Sequence, residues 1–248
     1  MSTGWSWMSC SAPSMRSGGT CRRSRAGPGR VALRPARMRA ATARRPTRRR
    51  LPKATTRPPT GRRIRSPMDN EAYTAASESL ALGVRDAVQA AGGRLVTVES
   101  CTAGRIAATL AEIPGASQWL CGGIAVYRSA SKHEWLGVPW ELIQSAEAGP
   151  VSLAMSRFLA NAALVRTPEA TVALGITGDL GPGAPPRTDG RVFMAVADRN
   201  SVREAELQLR SPSPRDAADI PGRRRRLDEA TQAGLRFLLD VLRGTPSA

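Results

Sequence analysis

The chain has 248 residues, with 37 Lys and Arg against 20 Asp and Glu and a formal net charge of +17, the balance of a nucleic-acid binder. That average conceals a division: residues 1–67 hold 18 of the basic residues and no acidic one, which leaves 19 basic against 20 acidic over residues 68–248. A near-neutral remainder speaks against a nucleic-acid partner held through its phosphate backbone. A single histidine, His133, and the absence of any CxxC disfavour His/Cys metal sites, and no apolar run reaches membrane-spanning length.

Residues 1–67 are rich in Arg, Pro, Ser, Thr, Gly and Ala, with proline wherever a helix would start ("RRPTRRRLPKATTRPPTGRR"). Such a segment cannot bury enough apolar surface to offset its ordering entropy. It reads as a disordered leader over 1–67 ahead of one folded domain over 68–248. The acid-free composition fits an organellar transit peptide or a basic nucleic-acid tail. The favoured reading is an upstream frame of GC-rich DNA, with Met68 as the start. No apolar stretch resembles a secretory signal, and the domain is expected in the cytoplasm.

From Asp69 onward, Leu80, Val84, Ala87 and Val88 fall at helical spacing, and Gly92–Gly93 stops that helix. "RLVTVES" reads as a short buried strand, and "CTAGRIAATLAEIPG" as a helix opening from a small-residue turn. "WLCGGIAVYR" is a second strand, its Gly122–Gly123 marking a bulge or a close backbone approach. "SASKHEWLG" is a short helix with Ser129 or Ser131 as N-cap, and "VSLAMSRFLANAALVR" is a longer amphipathic one. "ATVALGIT" is a third buried strand, followed by the Gly/Pro-rich loop "GDLGPGAPPRTDG". "RVFMAVAD" and "VREAELQLR" form a strand pair turning at Arg199–Asn200, and "RRRLDEATQAGLRFLLDVLR" is the closing helix. Strands alternating with helices before a hairpin predict an α/β three-layer sandwich, its sheet mixed but mostly parallel, with helices on both faces.

The strand-to-helix junction "TVESCTAGRI" is where an open α/β sheet binds ligands, and a helix N-terminus there offers free N–H groups. Ser100, Cys101 and Thr102 occupy the turn, and Ala103 and Gly104 are small enough to admit a substrate. A hydroxyl here is either a plain N-cap or a nucleophile beside an oxyanion hole. Cys101 is an alternative nucleophile, because a helix N-terminus lowers a thiol pKa. The candidate base is Lys132, the one lysine between residues 54 and 248 in a chain with 35 arginines. Arginine stays protonated and cannot serve as a base, whereas a buried lysine can. Tyr127, at the end of the preceding strand, is placed to share proton transfer. Thr177 leads into glycines that could cradle an anion, and Arg223 to Arg226 crowd the start of the last helix.

These elements resemble, in order and spacing, those of the CinA C-terminal domain family, the nicotinamide mononucleotide (NMN) deamidases, from about Asp69 to Leu242. "TVESCTAG" is similar to the family's A-E-S-C-T-G-G, and "PGASQWLCGGIAVYRSASKHEWLGVP" to its P-G-S-S…G-G-V-V-A-Y-S-N-x-x-K…L-G-V-P. "GPVS" is similar to H-G-A-V-S, "GITGDLGP" to V-T-G-I-A-G-P, and "DGRVFMAVA" to V-G-x-V-Y-I-A. The resemblance implies hydrolysis of the NMN amide to nicotinic acid mononucleotide and ammonia, with Ser100 as nucleophile, Lys132 as base and Tyr127 assisting. It implies substrate contacts from Thr102, Ala103, Gly104, Thr177, Gly178 and, through the family's G-D-R element, Arg224. It also implies a small nucleotide as partner and neither metal nor organic cofactor; self-association into a homo-oligomer is left open. Five positions depart from the pattern: Ala103 for glycine, Asp179–Leu180 for Ile-Ala, Ala148 for histidine and Arg223 for aspartate. A rival expectation is a catalytically weak CinA-like domain acting as a binding or regulatory module in competence or damage, and Asp179 is the residue that discriminates between the two.

Overall fold

The computed structural model describes residues 67–244, with side chains from Tyr73 on; the expectations for the leader lie outside the described residues. Helix α1 spans Pro67–Ala90 and strand β1 Leu95–Glu99. They are followed by α2 (Arg105–Ala111), β2 (Leu120–Ala125), α3 (Ser129–Leu136), α4 (Trp140–Gln144) and α5 (Leu153–Arg166). Then come β3 (Val172–Gly178), β4 (Arg191–Asp198), β5 (Val202–Gln208) and α6 (Ile220–Leu242). The sheet order is β2-β1-β3-β4-β5. β1 runs parallel to β2 and β3, while β4 is antiparallel to both its neighbours. Four of the five described strands therefore point the same way, as a mixed α/β sheet requires. No described helix is long and apolar enough to cross a membrane.

Side-chain alternation sorts the core into two layers. Leu95, Leu174, Ile176, Val192 and Met194 pack with Ile106, Leu110, Leu235 and Leu238, so α1, α2 and α6 cover one face. Val96, Val98, Ala173 and Ala195 pack with Leu136, Met155, Leu159 and Ala163, so α3, α4 and α5 cover the other. Each fully buried Leu or Ile contributes about 1.5–3 kcal/mol. α5 approaches β3 closely because position 175 is glycine: a Cβ there would overlap the Ser156 carbonyl and lie 2.7 Å from the Ala160 nitrogen.

Three local features differ from, or sharpen, the sequence expectation. The β1–β2 register passes from Leu95↔Leu120 to Val96↔Gly122, so Cys121 is the extra residue of a bulge and Gly122 takes a φ of 140°. α3 is capped by Arg128, not Ser129 or Ser131; Ser131 sits in the first turn, where its hydroxyl accepts from Arg128 N at 3.3 Å. α6 begins four residues early because Asp219 Oδ1 accepts from Gly222 N at 3.0 Å and Pro221 suits a first helical turn.

Candidate active site

β1, β2 and β3 end side by side, and the crossover through α2 covers one face while α3, α4 and α5 cover the other. The carboxyl edge of β1 and β3 is therefore a topological switch point, where open sheets bind ligands. The chain stays in the ladder past β1: Ser100 N donates to Ile176 O at 3.0 Å, and Val126 N to Glu99 O at 2.8 Å. Alternation along β1 then separates neighbours. Glu99 turns to the α2 face, and Ser100 is left facing the α3 side.

Glu99 is fully buried, and its carboxylate closes the start of α2. Oε2 accepts from Gly104 N at 3.0 Å and Ile106 N at 3.1 Å, while Oε1 accepts from Ala107 N at 2.8 Å and the Thr97 hydroxyl at 3.2 Å. The sequence expectation of a free, electropositive helix end is corrected here, since those N–H groups are already satisfied. A glutamate ending a short, mostly apolar buried strand was the available signal. Within the turn from Ser100 to Arg105, the N–H groups spent on neither a backbone carbonyl nor Glu99 belong to Cys101 and Thr102.

Cys101 is 4% exposed, and burial, reinforced by the Glu99 charge, pushes its thiol up to about 12. The thiol is therefore held protonated at neutral pH, the reverse of a thiol activated by a helix end. Lys132 is 3% exposed on α3. Burial draws its pKa below the ordinary lysine value, with an opposing contribution from Cys101. Among the described residues neither the Lys132 amine nor the Ser100 hydroxyl has a hydrogen-bond partner, and Lys132 has no ion pair. His133 does not line the cleft that holds Ser100 and Lys132: its Nδ1 donates to the Val138 carbonyl at 2.8 Å, and its ring packs 4.9 Å from that of Trp140.

Ser100, Cys101, Tyr127, Lys132, Gly178 and Arg223 line one cleft of about 570 Å³. Tyr127 follows β2 with its ring largely exposed, and its hydroxyl accepts from Arg223 Nη2 at 2.7 Å. Arg223 Nη1 donates to Gly181 O at 2.6 Å, tying the loop after β3 to α6. Arg226, one turn on, is buried and grips the same loop through Asp189, with Nη1–Oδ1 2.5 Å and Nη2–Oδ2 3.1 Å. Successive helix residues point about 100° apart: Arg224, the expected contact, is exposed and does not line the cleft, whereas Arg223 does.

The remaining expected contacts divide. Gly178 lines the cleft, but Thr177 is fully buried beside it, with its hydroxyl donating to Pro150 O at 2.9 Å. Thr102, Ala103 and Gly104 do not line the cleft. Thr102 is fully buried, with its hydroxyl unpartnered, and Gly104 serves Glu99. Ala103 is exposed at a φ of 53°, a left-handed conformation suited to glycine. Among the described residues no group of three or more His, Cys, Asp or Glu side chains could hold a metal ion.

A family profile described as the CinA C-terminal domain matches residues 77–241. The chain belongs to the CinA C-terminal domain family. A CinA-like protein of Anaeromyxobacter sp. (strain K) is 44% identical over 110 residues, covering 44% of this chain and 26% of the relative. A CinA-like protein of Mycolicibacterium paratuberculosis is 37% identical over 134 residues, covering 46% of this chain and 30% of the relative. The matched region thus spans about a quarter to a third of these curated relatives. The crystal structure of the competence/damage inducible protein CihA from Agrobacterium tumefaciens is 31% identical with a TM-score of 0.57, covering 68% of this chain and 96% of that one. The α/β architecture is the one these CinA proteins share.

Proposed function

We propose that this CinA domain hydrolyses the carboxamide of nicotinamide mononucleotide, giving nicotinic acid mononucleotide and ammonia. The observation that carries the reading is Lys132, a buried lysine without a carboxylate partner, in the same cleft as an unpartnered serine hydroxyl. Outside function, such a lysine costs stability, because its charged form is desolvated without compensation. In a hydrolase the same desolvation favours the neutral amine, the form able to accept a proton.

Ser100 Oγ attacks the amide carbon while Lys132 takes the hydroxyl proton. The negative charge that develops on the carbonyl oxygen is met by the unspent N–H of Cys101, which lines the cleft. Lys132 returns the proton to the amide nitrogen, the C–N bond breaks, and ammonia leaves an acyl-Ser100 ester. Water then attacks the ester with Lys132 again as base, which releases the carboxylic acid and restores Ser100. Arg223 can only donate, so the Tyr127 oxygen is its acceptor and the Tyr127 O–H stays free to relay the Lys132 proton to the leaving nitrogen, taking one from Lys132 as it gives its own.

The second reading, a binding or regulatory domain without turnover, is favoured by Asp179, a carboxylate in the cleft where the family pattern has an apolar residue. Ammonia release from nicotinamide mononucleotide separates the two. The amidohydrolase reading expects turnover that Ser100→Ala and Lys132→Ala each remove; the binding-domain reading expects none from the unaltered protein.

A further inference from the structure

Three carboxylates line the cleft, and they are not equivalent. Asp219 is spent on the start of α6 and on Arg215, and Asp216 is exposed, accepting from Ala218 N at 2.8 Å. Asp179 is half-buried and held by its own backbone, its N–H donating to Arg191 O at 3.1 Å and its carbonyl accepting from Gly190 N at 2.7 Å. Its side chain accepts one hydrogen bond, from the Thr188 hydroxyl at 3.2 Å on Oδ2. No described Lys or Arg forms an ion pair with it. A fixed, uncompensated carboxylate in a partly desolvated wall lacks a cation, and the cleft's own cations do not supply one: Lys132 makes no ion pair, and Arg223 is committed to Gly181 and Tyr127.

A carboxamide borne on an N-substituted pyridinium ring supplies that cation a few bonds from the scissile carbon. Asp179 also borders a second cavity of about 660 Å³, which shares Pro150 and Val151 with the first and includes the exposed Arg187. The anionic end of a nucleotide can extend there, past Asp179, toward a guanidinium. We propose that Asp179 is a specificity-determining residue that selects a cationic pyridinium carboxamide over the same amide on a neutral ring. This rests on the amide-hydrolase reading of the cleft, and it assigns to Asp179 attraction for the ring in place of repulsion of the phosphate.

The test uses two ligands that share ribose and phosphate and differ in ring charge: nicotinamide mononucleotide and its reduced, dihydropyridine form. Titration calorimetry on the full chain carrying Ser100→Ala, which prevents turnover, is expected to show about tenfold tighter binding of the pyridinium form. Adding Asp179→Asn, which retains an oxygen for Thr188, is expected to bring the two affinities together by weakening the pyridinium form alone. Equal affinities before that change, tighter pyridinium binding after it, or no binding of either ligand overturns the proposal. The two readings fail separately. Binding preference without ammonia release from the unaltered protein sinks the hydrolase reading alone, and ammonia release without the preference sinks the role of Asp179 alone.

Discussion

The Arg223 guanidinium donates to the Tyr127 hydroxyl at 2.7 Å, joining the first turn of α6 to the end of β2 across the cleft mouth. An exposed tyrosine is otherwise free to rotate, and this bond fixes both its position and its direction of donation. Tyr127→Phe is expected to lower kcat about 10²-fold, a usual size for removing a proton donor. Arg223→Ala should cost about tenfold by releasing the ring, and the double variant should be no worse than Tyr127→Phe alone, because both act through one hydroxyl. A double-mutant cycle on kcat reads this directly; additive losses would show that Arg223 acts on its own.

Lys132 sets the pH dependence. Its pKa is lowered by burial from an ordinary 10.5, so kcat/KM should rise with pH as the amine loses its proton, and the rise should fall below the ordinary lysine range. Lys132→Arg should abolish turnover at every pH, because the charge stays and the base is lost.

The same group makes a stability prediction of opposite sense. A lysine with a lowered folded pKa binds fewer protons in the native than in the unfolded state, so its contribution to stability rises with pH between the folded value and 10.5. At neutral pH the burial is a cost, and Lys132→Met should raise the unfolding free energy by about 1 kcal/mol while removing activity. Denaturant unfolding at neutral and alkaline pH should show the gap between variant and parent narrowing as pH rises.

Cys101 is expected to be chemically quiet. With its thiol pushed up to about 12 and its side chain 4% exposed, alkylation by iodoacetamide at neutral pH should be slow and turnover should survive it. Cys101→Ala should keep most of kcat while costing about 1 kcal/mol of packing. Loss of turnover in Cys101→Ala with retention in Ser100→Ala would exchange the two roles.

Ala103 is strained where the family pattern has glycine. At a φ of 53° an L side chain costs about 1 kcal/mol or more, and the residue is exposed, so no contact offsets it. Ala103→Gly should therefore raise thermal stability by about 1 kcal/mol, less a few tenths from added freedom in the unfolded chain. The melting temperature measures it.

The order of strands and long helices was legible because each long element carries its own period: an apolar run for β1 and β3, and three- and four-residue spacing for α1, α5 and α6. Composition singled out Lys132, as a lysine surviving among arginines, and the structure places it buried in the cleft. Glu99 was not legible, since its role depends on which face of β1 it takes, and that is set by helices packed on opposite sides of the sheet. α4 has five residues, too few to show a period. Arg224 was expected from the family's G-D-R element, which carries no helix phase; on α6 a one-residue step turns a side chain by about 100°, and it is Arg223 that lines the cleft.

The central claim is that Ser100 and Lys132 together open an amide bond in this cleft. Ammonia release from nicotinamide mononucleotide, measured for the unaltered protein, Ser100→Ala and Lys132→Arg at matched folded fractions, tests it most directly. The account predicts turnover in the first and none in either variant. Turnover retained in Ser100→Ala or Lys132→Arg, or none in the unaltered protein, would contradict it.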